Sequence, residues 1–208
     1  MKIKICGIKN VEAAANAVEA GADAVGFVFA ASKRKISVNQ AKSMAKSIPG
    51  NIKKIGVFVN EELSIVENII QEAGLDLVQL HGDESPEYCR KLSVPYIKAF
   101  SIHSEDDFFR IQEYDPMFVL LDSPAGPYRG GNGNTFDWKL VGKLPISTDR
   151  IILAGGLDPE NIAEAIMSVR PAMVDVSSGV ETDGEKDAEK MQSFISHARK
   201  AFNQLEER

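Results

Sequence analysis

The sequence predicts an α/β protein folded as a closed (β/α)8 (TIM) barrel, one domain over residues 1–208. Three observations predict it. Eight short β-branched or apolar runs recur along the chain, segments with a 3.6-residue apolar period stand between them, and strand and helix patterns alternate, which calls for parallel strands joined by right-handed crossovers. The first run, KIKIC (2–6), ends on Cys6 and turns at Gly7. NVEAAANAVEAG (10–21) follows with Asn10 placed to cap a helix and Gly21 to end it. DAVGFVF (23–29) leads to NQAKSMAKSI (39–48), and KKIGVFV (53–59) to NEELSIVENIIQEAG (60–74), which closes on Gly74. LDLVQLH (75–81), PYIKAF (95–100) and MFVLLD (117–122) are the next three strands, with Cys89 in a short helical stretch, SPEYCRKL, where it reads as packing. RIILAG (150–155) precedes DPENIAEAIMSVRP (158–171), a helix expected to open at Asp158 and Pro159, and AMVDVSS (172–178) is the eighth strand.

A length of 208 residues sits near the lower limit for such a barrel, about 200. An open doubly wound sheet is the structural rival, but no GxGxxG motif opens a helix after the first strand. The net charge of −6 argues against nucleic-acid or membrane-surface partners, which require a basic field, and favours a small soluble ligand. Two cysteines make no disulfide framework and fit a reducing, cytoplasmic setting. No apolar run approaches the roughly 18 residues of a spanning helix, and Met1-Lys2-Ile3 enters a strand without a signal-peptide pattern.

In a barrel of this kind the chemistry lies where strands end. Those ends supply Cys6, His81, Asp122, Ala154-Gly155-Gly156 and Ser177-Ser178-Gly179. Paired glycines let backbone approach a ligand closely, and the loops after strands seven and eight are where these barrels bind phosphate, so Gly155, Gly156, Ser177, Ser178 and Gly179 point to a phosphorylated substrate. Asp122 ends an apolar run whose burial would favour its protonated form and make it a general acid. The glycine-rich stretch after it, SPAGPYRGGNGNTFDW (123–138), is longer than a usual strand-to-helix loop and reads either as a closing lid or as a connection with no role. Strand parity puts Lys4 and Cys6 on one face; if that face is inward, Lys4 needs a carboxylate, and Asp175 on the neighbouring eighth strand has the right parity to pair with it. Such a lysine would also favour the thiolate of Cys6.

Cys6, QLHG (79–82), Asp122, TFDW (135–138), AGGL (154–157) and VDVSSGVE (174–181) occur in the order seen in phosphoribosylanthranilate isomerases of tryptophan biosynthesis. KICGI, GFVF followed by SKRKIS, and GVFVN fit as well, so the chain resembles that family from end to end. The resemblance implies an Amadori rearrangement of N-(5-phosphoribosyl)anthranilate without a cofactor. It implies Asp122 as general acid, Cys6 as general base, and Arg34 against the anthranilate carboxylate, although KRK alone reads as a solvated charge run. His81 is expected either to line the site or to make a structural hydrogen bond, and Asp175 to touch substrate as well as Lys4. Rival readings are another phosphosugar barrel, either an epimerase or an indole-glycerol-phosphate synthase-like enzyme, and a non-catalytic phosphometabolite-binding barrel. Three scattered histidines make no metal set, only Lys98 lies near a place where the synthase would need lysines, and a binding protein needs neither Cys6 nor Asp122. Monomer and homodimer are both compatible with the sequence.

Overall fold

The computed structural model describes residues 1–101, 107–122, 138, 141, 144 and 146–207. Eight parallel strands close into a barrel in sequence order: β1 (Ile3–Cys6), β2 (Ala24–Val28), β3 (Lys53–Phe58), β4 (Leu77–Leu80), β5 (Tyr96–Ser101), β6 (Phe118–Asp122), β7 (Ile151–Leu153) and β8 (Met173–Val176). All eight expected strands form, most of them shorter by one or more residues, while β5 runs one residue further, to Ser101. Between them lie α1 (Val11–Glu19), α2 (Val38–Ala45), α3 (Leu63–Ala73), α4 (Pro86–Cys89), α5 (Asp107–Ile111) and α6 (Ile162–Val169), and α7 (Ala188–Glu206) follows the barrel. None of the described helices is long and apolar enough to cross a membrane.

Local chemistry sets the helix ends. Asn10 accepts a hydrogen bond from the Ala13 N–H at the start of α1, and Ser37 and Gln40 form a reciprocal capping box on α2. The helix after β7 departs from expectation. The Asp158 side chain takes the N–H groups of Glu160 and Asn161, holding the chain in a turn, and regular helix begins only at Ile162. Cys89 is buried at the end of α4, among the packing residues, as expected.

Two apolar cores follow from strand parity. Inward-facing Ala24, Ile55, Leu77, Ile97, Leu120 and Ile152 belong to the cluster that fills the barrel, while the larger cluster lies between the strands and the helices. Lys4 and Asp175 are inward exceptions. They are register partners on β1 and β8, and their charged groups meet at 2.8 Å, so the expected pair forms with Lys4 fully buried.

The opposite end of the barrel is tied by Asp23. Its carboxylate accepts the Lys2 and Ile3 N–H groups at 2.7 and 2.9 Å and Arg199 of α7 at 2.6 Å, joining the first strand to the last helix. Partial burial opposes its charge, but Arg199 and the two N–H groups outweigh that and hold the Asp23 carboxyl below the usual carboxylate value. The resulting stabilisation is present above the unfolded-state pKa and is lost as pH falls through the lower folded value. Asp23→Ala should cost about 1–2 kcal/mol in urea unfolding at pH 7, with the difference from wild type shrinking in acid.

After β8 the chain makes a 3-10 turn at Ser178–Val180 and then a small hairpin, β9 (Glu181–Thr182) and β10 (Glu185–Lys186). Its two turn residues, Asp183 and Gly184, have φ of 53° and 81°, the left-handed pair that a two-residue hairpin loop requires. The stretch 123–138, read either as a lid or as a connection with no role, lies outside the described residues except for Trp138.

Candidate active site

A cavity of about 510 Å³ opens where the strands end. Cys6, Arg34, His81, Asp122, Gly155, Gly156, Asp175, Ser177 and Ser178 all contribute to its lining. Of the catalytic, substrate-binding and phosphate-binding residues expected from the sequence, only Gly179 does not. A side chain at Gly179 would collide with the Leu157 carbonyl, so its part is to let the β7 and β8 loops touch backbone to backbone. Gly155 and Gly156, with φ of 80° and 65°, hold the first of those loops in a conformation costly for other residues.

The Cys6-Gly7 step has a physical reason. Gly7 has φ +80°, and its N–H and that of Ile8 both donate to the Gly26 carbonyl, so the chain turns sharply as β1 ends. A Cβ on Gly7 would run into the Arg34 side chain, which crosses the backbone beside Cys6. Gly26 on β2 is equally constrained, since a Cβ there would lie 2.8 Å from the Cys6 sulfur and 3.2 Å from Cε of Lys4. A missing side chain thus makes room for the thiol and the buried lysine together.

Burial pushes the Cys6 thiol pKa up, and although the Lys4 ammonium pulls the other way, it does not overcome the loss of solvent. Lys4 thus favours the thiolate, as expected, but burial outweighs it and holds the Cys6 pKa above the usual thiol value. Lys4 is itself held charged against its burial, chiefly by Asp175. Oδ2 of Asp175 takes that ammonium, while the buried Oδ1 has no hydrogen-bond partner.

Across the mouth, Asp122 is 3% exposed and its Oδ2 lies 3.4 Å from Nε2 of His81. His81 Nδ1 lies 3.4 Å from the amide nitrogen of Gln79, whose Oε1 is buried without a partner. If that amide donates to Nδ1, the imidazole proton sits on Nε2, facing Asp122. Gln79, inward on β4 and 2% exposed, was not singled out as a site residue from sequence.

The two sides of the cavity differ. Near Arg34 the wall is apolar, with Val28, Ala30, Val57 and Val59, whereas the β7 and β8 loops bring glycine backbone and serine hydroxyls. Arg34 makes a two-pronged ion pair with Glu181, Nε to Oε1 at 2.7 Å and Nη2 to Oε2 at 2.8 Å, a partner that sequence reading missed. Lys98 donates to the Gly82 carbonyl and to Glu84 and does not line the cavity. Among the described residues no three of His, Cys, Asp and Glu are gathered as a metal site.

Comparison with known proteins bears directly on this site. The family model for N-(5'phosphoribosyl)anthranilate (PRA) isomerase matches residues 3–197. The chain is 52% identical over 200 residues to the N-(5'-phosphoribosyl)anthranilate isomerase of Bacillus cereus strain B4264, covering 96% of this chain and 98% of the relative. The chain belongs to the N-(5'-phosphoribosyl)anthranilate isomerase family. Two solved isomerase structures resemble it closely. The crystal structure of the phosphoribosyl anthranilate isomerase from Thermotoga maritima is 42% identical with a TM-score of 0.86, covering 96% of this chain and 99% of that one. A phosphoribosyl anthranilate isomerase in complex with reduced 1-(o-carboxyphenylamino)-1-deoxyribulose 5-phosphate is 41% identical with a TM-score of 0.83, over the same shares of the two chains.

Proposed function

We propose that this chain converts N-(5-phosphoribosyl)anthranilate to 1-(2-carboxyphenylamino)-1-deoxyribulose 5-phosphate, the aldose-to-ketose rearrangement of tryptophan biosynthesis. The observation that carries the reading is the placement of Cys6 and Asp122 on the walls of one cavity, with the β7 and β8 loops between them. The phosphate takes the backbone of Gly155 and Gly156 and the hydroxyls of Ser177 and Ser178. The aromatic ring lies on the apolar wall, with its carboxylate toward Arg34.

Asp122 protonates the ribose ring oxygen as the C1–O bond breaks, leaving a protonated Schiff base between C1 and the anthranilate nitrogen. That cation next to C2 acidifies the C2 proton. It also favours the thiolate form of a nearby Cys6, offsetting part of the cost of burial. The Cys6 thiolate removes the C2 proton, the electron pair neutralises the iminium, and the resulting enolamine gains a proton at C1 and loses one from O2 to become the ketone. His81 orients the Asp122 carboxyl, and the unpartnered Oδ1 of Asp175 accepts a substrate hydroxyl at the cavity floor. No cofactor enters these steps. Every residue in them belongs to one chain, so a monomer or a homodimer in the cytoplasm serves equally well.

The test is the fluorescence of freshly generated N-(5-phosphoribosyl)anthranilate after addition of purified protein, without added metal and with free anthranilate controlled for. A protein-dependent decay is expected. Folded protein that leaves the signal unchanged removes the isomerase reading. Against the synthase-like rival stands Lys98, which is engaged outside the cavity.

A further inference from the structure

The small hairpin after β8 holds two largely buried charged residues, Glu181 and Lys186, that the proposed chemistry does not use. Glu181 at its first position receives Arg34 on both carboxylate oxygens, and Lys186 at its last position donates to Oε1 of the same carboxylate at 2.7 Å. Lys186 is almost wholly buried and also donates to the Ser177 carbonyl at 2.8 Å, while the Ser177 hydroxyl donates to the Cys6 carbonyl at 3.1 Å. Lys9, just beyond β1, holds the hairpin tip through the Gly184 carbonyl and Glu185. The ends of β1 and β8, the loop carrying Arg34 and the hairpin are thereby closed into one ring of contacts.

The geometry of the Arg34 contact carries the consequence. A guanidinium has two forks that match a carboxylate, the Nε–Nη2 side and the Nη1–Nη2 end. Glu181 takes the side fork, so only the end fork remains for a ligand, and the cavity that Arg34 lines is where such a ligand would lie. Glu181 does not line the cavity. Its carboxyl is kept ionised: burial opposes the charge, but Arg34 and Lys186 outweigh it and hold the group below the usual glutamate value.

We infer that Glu181 is a positioning residue for substrate selection: by occupying one fork of Arg34, with Lys186 securing it from behind, it presents the other fork to an aromatic carboxylate. This rests on the proposed function, in which Arg34 meets that carboxylate. It extends the reading by assigning ligand discrimination to the hairpin, outside the cavity wall. A purely structural hairpin would affect all ligands of the barrel alike.

The experiment is calorimetric titration of the full chain with two ligands that share a phosphate end. Reduced 1-(2-carboxyphenylamino)-1-deoxyribulose 5-phosphate carries the aromatic carboxylate, and ribulose 5-phosphate lacks it. Glu181→Gln keeps the shape and removes the charge. It should weaken the first ligand about tenfold, leave the second within about twofold, and raise KM with little change in kcat. In an Arg34→Met background the same substitution should add nothing, since the partner it positions is gone. Unchanged affinity for the first ligand overturns the inference, as does equal weakening of both, or a loss that persists in the Arg34→Met background. If Glu181→Gln fails to fold, Glu181→Asp, which keeps the charge but shortens its reach, is measured against the same pair with the same expected selectivity. Failure of the underlying reading looks different: Arg34→Met alone would then leave the first ligand's affinity at the wild-type value.

Discussion

Asp122→Asn is expected to lower kcat by roughly two to four orders of magnitude, the range that a positioned general acid supplies. The substitution keeps the size of the side chain and a polar tip for His81, but an amide has no proton to give to the ribose ring oxygen. Asp122 is buried at the end of β6, where a neutral amide is accommodated without desolvating a charge, so the fold should persist. The check combines single-turnover fluorescence decay with ribulose 5-phosphate titration. Loss of turnover with retained phosphate-ligand affinity is the expected pair of results. Near-normal turnover would remove Asp122 from the acid role.

Cys6→Ala should produce a loss of similar size, about 10²- to 10⁴-fold, and a characteristic pH dependence identifies the thiol as its cause. Burial raises the Cys6 pKa, so near neutral pH the active thiolate is a minor form and its fraction grows as pH rises toward the raised value. Wild-type kcat/KM should therefore climb on the alkaline side, and the residual rate of Cys6→Ala should not. Stability moves the other way. A thiol whose folded pKa lies above the unfolded one, about 8.5, contributes fully below that value and loses its contribution as pH rises through the folded pKa. Wild type should thus gain rate while losing stability in alkali, and Cys6→Ala should escape that part of the stability loss. A kcat/KM that is already flat at neutral pH would show that Cys6 is ionised at rest and contradict the burial argument.

Features set by local periodicity and parity were legible in the sequence. Alternation along KIKIC placed Lys4 and Cys6 together, and the parity of Asp175 with Ser177 was enough to find the ion pair across the β1–β8 seam. The strand ends Cys6, Asp122 and Ser177 reached the cavity because strand direction dictates which end of the barrel they occupy. Residues that act through a partner distant in sequence were harder to read. Glu181 and Lys186 stand in GVETDGEKD, which looks like a solvated charge run, and their burial depends on a hairpin folding back toward Arg34, 147 residues earlier. The Asp-Gly pair at 183–184 was the local signal for that hairpin. Gly26 carried no signal of its own, because its reason is a sulfur on the adjacent strand. The ionisation of Cys6 was open in the sequence, which reveals the presence of Lys4 but not the depth of solvent exclusion around the thiol.

The seam between β1 and β8 has a consequence for how this molecule comes to life. Lys4 and Cys6 belong to the first strand, Asp175 and Ser177 to the last, and their contacts span 171 residues of chain. Neither end of the polypeptide holds a workable site by itself. A nascent chain with seven strands built would contain the proposed acid and base, Asp122 and Cys6, yet Lys4 beside Cys6 would face an apolar interior without its counter-ion. On the proposed roles of Cys6 and Asp122, competence to catalyse arises with the final strand's arrival, and the reaction would serve as a reporter of ring closure.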